Sequence, residues 1–248
     1  MTLPTTVRQF LELQQSSILE DFRDRMSTCL IATTRKRLLR HSKEYNWTIA
    51  GLGRISPMSA LVVKKENLEP ELWVRNGYGG YRKAFLRFLN KYYEIEPASL
   101  SVNFQVDHLH PSSRFTKEHT TYFIRLALVA RRINSSYGAG FERLLYERER
   151  QRDLNGGIHM DWMAFLKIRG VSLPTKTKGL TFWQLWAWNY AKSIAKEGFD
   201  AVFTYVELTT ILNLAYTNTW RPFPLHPSFK AEAQSFDSYA CIPQFSEA

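Results

Sequence analysis

Apolar side chains near the start of the chain recur at helical spacing. Val7, Leu11, Ile18 and Phe22 fall on one stripe and predict a helix over residues 5–26. The segment TTRKRLLRHSKEYNW sets leucines among Arg35, Lys36, Arg37, Arg40 and Lys43, which reads as a helix with one solvated cationic face. LVV at 61–63 is a candidate short strand, and RNGYGGY at 75–81 is a glycine-rich turn. The turn leads into YRKAFLRFLNKYY. There Phe85, Phe88, Leu89 and Tyr92 keep the i, i+3, i+4, i+7 pattern of a buried helix face. Lys83, Arg87 and Lys91 form a stripe along another side. That stripe is either a plain solvated face or a surface that follows a phosphate backbone.

Pro97 closes this region. Strand-like residues follow over 100–106, and YFIRLALVA at 122–130 is a second strand. In RRINSSYGAGFERLLYERERQRD a turn or short helix passes into a highly charged helix, which Asn155, Gly156 and Gly157 stop. The last third has another character. TFWQLWAWNYAKSIAKEGF carries Trp183, Trp186 and Trp188, reads as a helix and ends at Gly198. AVFTYVELTTILNLAY fits a strand or a buried helix equally well, since its periodicity favours neither. From Arg221 onward Pro222, Pro224 and Pro227 predict irregular chain, and no internal repeat occurs.

Composition narrows the class. The chain has 248 residues, 44% of them hydrophobic and 14% aromatic, enough for a sizeable core and too apolar for disorder. Its formal net charge is +10, which points to a polyanionic partner, nucleic acid above all. Two cysteines, Cys29 and Cys241, exclude a cysteine-rich zinc ribbon and a disulfide framework. The first residues, MTLPTTVRQFLELQQ, lack the apolar stretch of a signal peptide, and no apolar run is long enough to span a membrane. The expectation is a soluble cytoplasmic protein with no membrane partner.

The chemistry concentrates in VNFQVDHLHPSSRF at 102–115, a strand that ends on Asp107 and His108 and is broken by Pro111. Phosphodiester hydrolysis needs a base near neutrality, which suits histidine. It also needs a cation beside the phosphate, held by hard oxygen ligands. In an extended strand Asp107 and His108 point to opposite faces, so acting together requires a bend, which Pro111 and the serines after it favour. Asn134, just past the second strand in RRINSSYG, is the best second oxygen ligand.

Asp-His-x-x-Pro-x-Ser, an apolar strand and a basic turn ending in Asn resemble the HNH, or ββα-metal, endonucleases, and within them the Asp-His…Asn branch. That branch includes phage endonuclease VII and the HNH domain of CRISPR effector nucleases. The resemblance covers about residues 100–147. It implies that His108 is the general base and that Asp107 and Asn134 hold one Mg²⁺, with Mn²⁺ as a substitute. It further implies cleavage to a 5′-phosphate and a 3′-hydroxyl. The middle asparagine or histidine of the family has no counterpart over 122–126, where only Tyr122 and Arg125 are polar, with His119 just before.

The expected architecture is α+β, with a small ββα-metal module at 98–153 in a largely helical protein. Residues 1–97 are expected to be mainly helical, and the tryptophan-rich region 154–248 to pack on the module. The expected activity is endonucleolytic cleavage of DNA, in phage defence or restriction, with room for a regulatory or complex-forming protein partner. Arg131, Arg132 and Arg114 are suited to grip phosphate near the scissile bond, and Lys83, Arg87 and Lys91 to hold the backbone further away. Two other functions fit the same surface: a non-catalytic basic nucleic-acid-binding protein, and an RNA-cleaving toxin of the same fold. At the level of residues, His108 and His110 also fit a plain loop with Asp107 capping a turn. A zinc site of Asp107, His108, His110 and His119 fits poorly, because the spacing is not a familiar zinc pattern. Glu142 reads as a surface partner of Arg143. Gly51, Gly53, Gly77, Gly79 and Gly80 read as turn residues without a phosphate-loop pattern, and the tryptophans as core.

Overall fold

Short apolar runs in the first third pair as strands, flanked by helices that bury the sheet. The structure, a computed structural model, describes residues 6–25, 29–111, 115, 120–137 and 157–233. The order begins α1 (Val7–Arg25), β1 (Leu30–Thr34), α2 (Arg35–Glu44), β2 (Thr48–Gly51), β3 (Ala60–Lys64), β4 (Glu71–Arg75) and α3 (Tyr81–Tyr93). It continues with β5 (Phe104–His108), β6 (Tyr122–Ala130), α4 (Arg131–Ser136), β7 (Ile158–His159) and α5 (Trp162–Ile168). The chain divides into two compact units, Met1–Ser136 with Arg148–Val171, and Tyr137–Glu147 with Ser172–Ala248.

The first unit is built on a seven-stranded sheet in the order β2-β3-β4-β6-β1-β7, with β5 paired to β6. Neighbouring strands are antiparallel. The protein is thus a mix of helices and strands. The region 1–97, expected to be mainly helical, holds α1, α2 and α3 and also supplies four of the seven strands, of which the periodicity predicts only β3. The physical reason is double-sided burial. Ala60 and Val62 of β3 join Leu72 and Val74 of β4 in the core formed with Phe85 and Phe88 of α3. The alternate residues Leu61, Val63 and Trp73 join Leu38 of α2 in a second core on the other face. A strand buried on both faces shows no polar alternation to read. The strands β5 and β6 of the expected 98–153 module accordingly belong to a larger sheet.

Four charges tie α1 to this sheet. Lys65 Nζ lies 2.7 Å from Asp21 Oδ2 and 2.7 Å from Glu71 Oε1. The Arg125 guanidinium lies 3.0 Å from each of the same two oxygens. The Trp73 indole also donates to Glu71, at 2.8 Å. All four charged side chains are buried, and two acids with two bases leave the cluster neutral, the arrangement that makes buried charge tolerable. Burial pushes the Asp21 carboxyl up, yet Lys65 and Arg125 outweigh it and hold it down at about 2. Gln14 of α1 serves β6 as a further strand would. Its amide donates to Leu128 O and accepts from Leu128 N, both at 2.9 Å.

The second unit holds α6 (Leu180–Ala195), α7 (Ala201–Thr217) and α8 (Pro227–Ala233). AVFTYVELTTILNLAY, open to two readings from its sequence, is the helix α7, started by the Asp200 carboxylate accepting from Phe203 N at 2.7 Å. It packs along α6. Trp183 and Trp188 are buried, as a core role requires, while Trp186 is half-buried and stacks on Tyr190. The stretch expected to be irregular from Arg221 ends in α8, which Pro227 opens as a first-turn proline can. Among the described residues no helix is long and apolar enough to cross a membrane.

Candidate functional site

Strand β5, strand β6 and helix α4 follow one another as two antiparallel strands and a helix. The register pairs Phe104 with Ala130, Asp107 with Ala127 and His108 with Leu126. The helix begins at the residue after β6 ends, and the Arg131 N–H donates to Asn103 O at 2.7 Å, which closes the strand pair against α4. The charged helix expected beyond 137, with Glu142 and Arg143, lies outside the described residues, as do Arg114 and His119.

The strand stays extended through His108 and turns only at Leu109 and His110. Side chains of β5 therefore alternate between two faces. Phe104 and Val106 pack into the core under α3. His108 lies on this face too, its ring 4.4 Å from that of Tyr81 at the start of α3. Gln105 and Asp107 occupy the opposite face. There the Asn134 amide of α4 donates to Gln105 Oε1 at 3.0 Å, and Lys167 Nζ of α5 lies 2.5 Å from Asp107 Oδ2. The structure thus sets Gln105 and Asp107 on one face of β5, with Asn134 hydrogen-bonded to Gln105 there, and sets His108 on the other.

The electrostatics of the two faces differ. Burial lowers the His108 pKa below the histidine value of 6.5; Asp107 pulls it up, and Arg82 and Lys167 push it down. The net effect favours the neutral imidazole, the form a base needs. On the other face a half-buried carboxylate meets a buried ammonium, with 4% of the Lys167 side chain exposed. Arg131 and Arg132 are exposed at the start of α4. Lys83, Arg87 and Lys91 are exposed along α3, and so is Arg82, whose guanidinium lies 5.3 Å above the Tyr81 ring. No acidic residue interrupts α3, so its outer side is a continuous cationic stripe that begins beside His108. His110 is buried, its ring 4.9 Å from Phe115, so it packs in the turn. Among the described residues no three His, Cys, Asp or Glu side chains gather; the zinc alternative also calls on His119, which lies outside them.

The donors on the Asp107 face fit a hard divalent ion in type. A carboxylate and two side-chain amides, Gln105 and Asn134, offer oxygen. The single negative charge among them is already matched by Lys167. Compared with known protein families, with curated proteins and with solved structures, the chain matches none. Four residues of this region escape a reading of the sequence: Gln105, Tyr81, Arg82 and Lys167. Gln105 had a signal, being two positions from Asp107 on a strand. Lys167 had a fainter one, a lone charge inside the otherwise apolar WMAFLKI. Tyr81 and Arg82 had none, because only the packing of α3 on the sheet brings them to His108.

Proposed function

We propose that this chain is a metal-dependent endonuclease of the HNH type, acting on DNA. One observation carries the reading: two antiparallel strands and a helix bring Asn134 into a hydrogen bond with Gln105, which shares a face of β5 with Asp107. Asp107 and Asn134 would hold a divalent cation, which would supply positive charge for the phosphate and the departing 3′-oxygen. His108 would accept a proton from water where a bend in β5 brings it round to the Asp107 face, and the hydroxide so formed would displace the 3′-oxygen from phosphorus. Arg82, Lys83, Arg87 and Lys91 run along α3 from His108 outward and draw the backbone of the duplex across that side. Arg131 and Arg132 attract phosphate at the start of α4.

A second reading, a basic nucleic-acid-binding protein without catalysis, draws on one observation of its own. The strand is straight through His108, so base and carboxylate face apart. Plasmid nicking by wild type and His108→Ala, with DNA binding measured in parallel, separates the two. The nuclease reading expects nicking to fall at least a hundredfold on substitution, to stop in EDTA, and binding to persist. Equal nicking by both proteins, or cleavage that survives EDTA, overturns it. Matched RNA and DNA substrates then distinguish a DNA nuclease from an RNA-cleaving toxin.

A further inference from the structure

The Asp107 carboxylate has a resident cation before any metal arrives. The Lys167 side chain is buried in α5, and its Nζ sits 2.5 Å from Asp107 Oδ2, an atom with no exposure to water. The remaining exposure of the Asp107 side chain, 20%, lies on the rest of the group. One oxygen is thus paired from within, and the exposure that remains belongs to the rest of the side chain. Gln105 and Asn134, the other oxygen donors on this face, are uncharged. The described donor set carries one negative charge and one positive charge, and sums to zero.

We propose that Lys167 is a positioning residue that ties metal loading to substrate. It orients Asp107 and cancels its charge, so the donor set binds a divalent ion weakly until a phosphodiester adds its own negative charge. The inference rests on the metal-dependent nuclease reading of Asp107 and Asn134. Its physical ground is Coulombic. A divalent ion held by the Asp107 carboxylate would stand within a few ångströms of an ammonium in a low-dielectric interior, where repulsion is little screened. An anionic phosphate on the same ion offsets that repulsion. Such a device also restrains a nuclease in the absence of DNA, because the protein alone does not assemble a loaded site.

Mn²⁺ binding followed by electron paramagnetic resonance tests this without reference to cleavage. The measurements use the His108→Ala background, where DNA stays whole, with and without a short duplex, and again after adding Lys167→Met. Methionine keeps the length and volume of the lysine stem and removes the charge. The expected result is an affinity for Mn²⁺ at least tenfold higher with duplex than without, and at least tenfold higher without duplex once Lys167 is replaced. Equal affinity with and without duplex overturns the proposal, and that comparison needs no variant of Lys167. Tight Mn²⁺ binding unchanged by Lys167→Met also overturns it, while leaving the metal reading intact. Binding that is absent under every condition, and no stronger than in Asp107→Asn, overturns both.

Discussion

His108 is a histidine whose surroundings favour the neutral form. Burial against Tyr81 and the positive charges of Arg82 and Lys167 outweigh the attraction of Asp107. If it serves as the base, activity requires the deprotonated ring. The rate should therefore rise with pH, bend at a value below 6.5 and stay level through pH 8. A pH–rate profile of DNA nicking measures this. A bend above 7, or a rate still climbing at pH 8, contradicts His108 as the base. The identity of the candidate side chains was legible in the sequence, because Asp107-His108 before a proline and Asn134 after a second strand make an unusual text. Their relative orientation was not. It follows from where the strand stops being extended, and that is set by pairing to Leu126, which the local sequence does not contain.

At the scale of elements, the buried quartet of Asp21, Lys65, Glu71 and Arg125 holds α1 onto β4 and β6. Removing one member strands the opposite charges in the core. Asp21→Ala should lower stability by about 3–5 kcal/mol, read by urea unfolding. A loss under about 1 kcal/mol would mean that the cluster is already hydrated. Helices were easier to foresee than strands. The outlines of α1, α2, α3 and α6 follow from periodicity and glycine-marked turns and stops, which act within a few residues. Strands β1, β2 and β4 were not foreseen, since each is short and two of them are buried on both faces, so what identifies them is a partner far along the chain. Helix α7 shows the converse: β-branched residues lean toward strand, and burial along α6 together with the Asp200 cap decides for helix.

For the whole molecule the net charge of +10 becomes useful once it has a place. Three of its cations, Lys83, Arg87 and Lys91, stand exposed on one side of α3. Replacing all three with glutamine should weaken DNA binding uniformly across sequences. It should also reduce the slope of log affinity against log salt by up to about 3, roughly 0.9 for each phosphate that is no longer neutralised. Fluorescence anisotropy over a salt series measures it, and an unchanged slope would place the nucleic-acid surface elsewhere. The sequence by itself determined the mix of helices and strands, the helices with strong periodicity and the residue types of the candidate site, because composition, spacing and turn chemistry are local quantities. The tertiary structure alone decided that the paired strands of the site belong to a seven-stranded sheet, that Lys167 answers Asp107 and that Tyr81 and Arg82 flank His108. Those facts depend on packing between segments tens of residues apart, where burial and charge pairing choose partners that no local pattern records.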